Sequence, residues 1–111
     1  MKRAVFLSVV MVLSILSYAY PHSPYDIKIT ASAQTVNIKV YHPVSDPSTH
    51  YVKKVVIKVN GEEARTDEFT SQTGDYQDLS REISGLKKGD LIAVTAYCSR
   101  YGDLTKEAKV E

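Results

Sequence analysis

Four side chains in this sequence could hold a transition metal: His22, His42, His50 and Cys98. They are all of its histidines and its one cysteine. Imidazole nitrogen and thiolate sulfur suit iron, copper or zinc, whereas magnesium and calcium take oxygen ligands. The local context of three of them is distinctive: His42-Pro43, then His50-Tyr51, then Cys98-Ser99-Arg100-Tyr101-Gly102. Each residue also has a plainer reading. His42 and His50 suit ordinary loop positions, and free cysteine is among the most buried residue types.

Other chemistries are poorly served. A copper clasp at Tyr20-Pro21-His22 is disfavoured because Pro21 has no amide proton to lose. Cys98 with a histidine could form a nucleophilic pair, but no oxyanion-hole motif or third orienting group is evident. There is no phosphate loop and no paired-cysteine zinc pattern. Asp67, Glu68 and Asp75 read as solvated acids in or near turns.

The elements that must position these side chains follow a leader. Lys2-Arg3 precede an apolar run over residues 4–16, and Ser17-Tyr18-Ala19 has small residues where a signal peptidase reads. Residues 1–19 are therefore expected to be a secretory signal peptide, with cleavage after Ala19. The run is short for a membrane span, so a membrane association requires the leader to stay uncleaved. The expected location is exported, periplasmic or extracellular. Without Lys2 and Arg3, 12 of the 14 basic residues remain against 13 acidic ones. That balance gives no nucleic-acid footprint. A small exported domain often relies on disulfides. The lone Cys98 makes none internally, which leaves a metal, a partner chain or the core as its destination, and a homo-oligomer open.

Residues 20–111 read as one all-β domain of about seven short strands. Ile27 and Ile29 alternate with polar neighbours, as do Val36, Ile38 and Val40. The β-branched stretch 52–59 carries Val55, Ile57 and Val59 on one face, and Asn60-Gly61 is a strong hairpin signal leading to a return strand over 62–69. Leu79, Arg81 and Ile83 are in phase within 77–83. Residues 91–98 form a strong strand, and 104–110 close the chain. The expectation is an immunoglobulin-like antiparallel β-sandwich. Ile92, Val94, Ala96 and Cys98 share the apolar face, so Cys98 ends a core-facing row beside a turn. The 42–50 loop, with Pro43 and Pro47, should lie outside the sheets.

The His42-Pro43, His50-Tyr51 and Cys98-containing segments, with the strand Val94-Thr95-Ala96-Tyr97-Cys98, resemble the ferrous iron-binding domain of desulfoferrodoxin and neelaredoxin, the superoxide reductase family. The resemblance spans about His22 to Gly102. It implies a mononuclear non-haem iron held by histidines in a plane and by a cysteine thiolate on the axis, with a sixth position open to superoxide. His22, His42, His50 and Cys98 would be ligands, and an outside electron donor would drive reduction of superoxide to hydrogen peroxide. The chain departs from the family in two places. Tyr101 stands where Cys-x-x-His would put the fourth histidine, and Tyr20-Pro21 replace a Glu-Lys pair before the first. Tyr101 would then be a phenolate ligand, and since an unperturbed tyrosine ionises only at a pH of about 10 the metal would have to drive it, which favours ferric over ferrous iron. These departures motivate an alternative: a metal-free immunoglobulin-like binding module, or a sulfur-carrier-type module, that has lost the iron site.

Overall fold

The computed structural model describes residues 23–111. The expected leader and His22 lie outside the described residues. The rest is all β: β1 (Asp26–Ser32), β2 (Thr35–Tyr41), β3 (Val52–Val59), β4 (Glu62–Glu68), β5 (Tyr76–Glu82), β6 (Leu91–Cys98) and β7 (Asp103–Lys109). They form a three-stranded sheet in the order β1-β2-β5 and a four-stranded sheet in the order β4-β3-β6-β7. Every pairing is antiparallel.

Alternation explains the strands. Along β6, Ile92, Val94, Ala96 and Cys98 are buried, and their odd-numbered neighbours are half-buried. Along β2, Val36, Ile38 and Val40 are buried. These rows meet Ile27, Val55 and Ile57 to make the core between the sheets. At the β3–β4 hairpin, Asn60 and Gly61 have φ of 50° and 87°. Two successive positive φ values give the turn a twist that matches the flanking strands, and asparagine and glycine tolerate them best.

The registers bring one set of loops together. Val52 pairs with Cys98, Tyr41 with Tyr76 and with Asp26, and Tyr97 with Asp103. The 42–51 loop, the 69–75 loop, the 99–102 turn and the chain entering β1 therefore share one end of the sandwich. Function in sandwiches concentrates in such loops.

The two sheets are also tied at an edge. Asp67 of β4 accepts hydrogen bonds from Arg65 Nε at 3.0 Å and from Arg81 Nε of β5 at 3.1 Å. The Asp67 side chain is 12% exposed, so it is not the solvated turn residue its sequence context suggests. Arg81 keeps the inward phase of Leu79, and at the sandwich edge that phase aims its guanidinium at β4. Burial alone would raise the Asp67 pKa, but hydrogen bonds and charge from the two arginines outweigh it and hold the carboxyl low.

A lowered folded-state pKa contributes stability that is present above the unfolded value of about 3.9 and fades as pH falls through the folded value. Asp67→Asn should cost about 0.5–1 kcal/mol near neutral pH. Urea titrations should show that difference shrinking as the pH is lowered below about 4.

Candidate metal centre

Two core rows, one from each sheet, run on into the candidate site. His42 continues the Val36, Ile38, Val40 row one step past β2 and is 1% exposed. Its amide donates to Asp75 O at 2.8 Å, which holds the extended phase beyond the strand. Cys98 ends the β6 row and is 4% exposed. The third donor reaches the same point through a bulge. Val52 pairs with Cys98 and Lys54 with Tyr97, so Lys53 is an extra residue between them. The bulge turns Lys53 and Lys54 both away from the core and restores Val52 to the inner face beside Val55. With Val52 inward, His50 falls in the same phase. Tyr51 is held between them by Ser99 N–H to Tyr51 O at 2.8 Å and Tyr51 N–H to Ser99 Oγ at 3.1 Å.

A compact turn presents His50. Asp46 Oδ1 accepts from Ser48 Oγ at 2.6 Å and from Ser48 N at 3.0 Å, and Asp46 O accepts from His50 N at 2.9 Å. The Ser48 hydroxyl and amide hold the Asp46 carboxyl below the usual carboxylate range, with the Thr49 hydroxyl and Arg100 charge adding to them. The loop is pinned at Pro47, whose carbonyl accepts from Gln72 N at 3.3 Å.

The donor atoms converge. His42, His50 and Cys98 have ligand atoms within 4.8 Å of one another. The two rings meet edge to face, with centroids 4.8 Å apart and planes at 88°. His50 Nε2 lies 3.1 Å from Cys98 Sγ. Zinc-like bond lengths of about 2.1 Å to nitrogen and 2.3 Å to sulfur put cis ligands about 3.1 Å apart at a right angle, and about 3.6 Å apart at a tetrahedral one. At the observed spacing His50 and Cys98 would be able to share one ion. Without an ion, the same contact is an imidazole–sulfur hydrogen bond. Arg100 N–H also points at Sγ, at 3.4 Å. Amide donors on a thiolate tune its electron donation.

The sequence-derived donors thus divide. His42, His50 and Cys98 come together. His22 lies outside the described residues. Tyr101 is 63% exposed in the turn between Cys98 and β7. One residue that sequence reading passes over is built into the site. Gln72, 7% exposed, sits behind His42 with its side-chain amide fully engaged. It lies in the polar stretch Ser71-Gln72-Thr73-Gly74, where nothing in type or spacing sets it apart from a loop residue.

Gly102, with φ +72°, lies against Ser23, and a Cβ at 102 would collide with the Ser23 hydroxyl. The residue that follows His22 is therefore packed on the turn that follows Cys98.

No family model and no curated protein matches this chain. Solved structures do. Superoxide reductase (neelaredoxin) from Ignicoccus hospitalis, in one variant form, is 19% identical with a TM-score of 0.52, over 79% of this chain and 82% of that one. A second variant form is 20% identical with a TM-score of 0.50, over 86% of each chain. A superoxide reductase from Nanoarchaeum equitans is 18% identical with a TM-score of 0.47, over 81% of this chain and 94% of that one. The likeness to the two Ignicoccus hospitalis forms shows a shared fold.

Gly102→Ala tests the packing at Ser23. Gly85 has a similar φ of +81° but nothing within 4 Å of an added Cβ. Each alanine should lose about 1 kcal/mol to the left-handed backbone. Gly102→Ala should lose a further 1 kcal/mol or so to overpacking. Urea denaturation of the two variants side by side measures the difference.

Proposed function

We propose that this chain is an exported, mononuclear non-haem iron protein of the superoxide reductase type, acting in the periplasm or outside the cell. The convergence of His42, His50 and Cys98 at one end of the sandwich carries this reading. The fold shared with superoxide reductases supports it. His22 is the proposed fourth protein ligand, and the packing of Ser23 on Gly102 favours that role. Tyr101, at 63% exposure, suits the rim of the site better than its centre.

Iron bound here would supply one electron to superoxide, which becomes hydrogen peroxide on taking up two protons. The chain's residues set the conditions. His42 and His50 offer neutral nitrogen donors that keep the ferrous state accessible. Cys98 offers a thiolate whose charge is moderated by the Arg100 amide. Core packing behind Val52 and Ala96, both buried, shields the inner side of the donors and leaves the loop end as the way in. The exposed Arg100 places a positive charge in the turn beside Cys98, where it would attract an anion. The electron would come from an external donor.

The test is iron content and the visible spectrum of the oxidised protein. A thiolate-to-iron charge-transfer band is expected, and Cys98→Ser should abolish it. His42→Ala should weaken iron binding more than tenfold. A wild-type protein with no stoichiometric iron and no band sinks the reading and leaves a metal-free binding module in its place. With the band established, rapid mixing of the reduced protein with superoxide should oxidise it and release peroxide.

A further inference from the structure

We propose that Gln72 is a positioning residue that fixes the proton of His42 on Nδ1, so that Nε2 carries the lone pair before any metal arrives. Its value to a metal rests on the function proposed above. The tautomer itself does not.

Hydrogen atoms are not needed for the assignment, because the partners of Gln72 have fixed roles. Gln72 Oε1 lies 3.0 Å from the amide nitrogen of Val52, which can only donate. Gln72 Nε2 lies 2.6 Å from the carbonyl oxygen of His42 and 2.9 Å from that of Gly74, which can only accept. Turning the side-chain amide over would set oxygen against oxygen twice and nitrogen against nitrogen once. The amide therefore has one orientation. Oε1 is also 2.8 Å from His42 Nδ1. An oxygen acceptor there requires Nδ1 to carry the proton, and a neutral ring then has its lone pair on Nε2.

The same side chain ties two ligands into one body. It holds the ring and carbonyl of His42 at the end of one sheet. It holds the amide of Val52, two residues past His50, at the start of β3 in the other sheet. Among the described residues, no buried side-chain nitrogen or oxygen lacks a partner. A ligand nitrogen whose ring is already oriented by a partner on the other nitrogen binds metal more tightly than an unsupported one.

Two variants separate the roles. Gln72→Glu keeps an acceptor for His42 Nδ1 and Val52 N but donates to neither carbonyl. Gln72→Met keeps the length and removes every side-chain hydrogen bond. Nitrogen-15 imidazole spectra of the metal-free protein read the tautomer directly, and cobalt(II) titration followed by its thiolate absorption reads affinity. We expect the Nδ1-protonated form of His42 in the wild type and in Gln72→Glu. Gln72→Met should show a mixture of tautomers and a 10- to 100-fold loss of cobalt affinity. A wild-type His42 protonated at Nε2 overturns the proposal, and so does a Gln72→Met protein with unchanged tautomer and affinity. If Gln72→Met does not fold, the wild-type and Gln72→Glu spectra decide. A wild type that shows the expected tautomer but takes up no cobalt overturns the metal reading and leaves the positioning by Gln72 standing.

Discussion

A residue that ends a core-facing row must point inward, and this constraint organises the end of the sandwich. Alternation sends every second side chain of a strand into the space between the sheets. Where the strand stops, the next inward position still faces that space but now meets the loops. His42 follows Val40 in that way on one sheet, and Cys98 follows Ala96 on the other. Polar donors are thus delivered into an apolar setting by the same periodicity that builds the core. Burying a polar group costs free energy unless it is hydrogen-bonded. The hydrogen bonds that Gln72 and Arg100 make to His42 and Cys98 are the offset.

The two sheets contribute unequally. β3 and β6 are central strands of the larger sheet, paired on both edges, so the platform under His50 and Cys98 is stiff. His42 follows β2, also central to its sheet, and is held by its backbone hydrogen bond to Asp75 and by the Gln72 clamp. The spacing between donors therefore depends on how the sheets face each other. The Asp67–Arg81 pair holds one edge of that relation, and the buried side chains of the core hold the rest.

Much of this was legible in the sequence. The period-2 pattern of residues 91–98 gave both the strand and the inward direction of Cys98, because each apolar residue sits on one parity. Asn60-Gly61 marked its hairpin because few other pairs accept positive φ twice. The direction of His50 was not legible. Counting back from Val55 by twos reaches Tyr51, and only the bulge at Lys53 moves His50 into phase. A bulge depends on pairing with another strand, so a local pattern does not show it. Gln72 was hidden for a similar reason, since its partners lie at positions 42, 52 and 74 and only folding brings them to it. Asp67 looked like a surface acid until β5 supplied Arg81.

The isolation of Cys98 has a practical side. It is the chain's one cysteine and is 4% exposed, so a thiol-specific alkylating reagent has a single target that it reaches only when the end of β6 opens. In the metal-free protein, the labelling rate relative to an open peptide measures the population of that opened state, about tenfold slower for each 1.4 kcal/mol that opening costs. The domain thus carries its own clock for local unfolding at the place where β3, β6 and the 99–102 turn are joined.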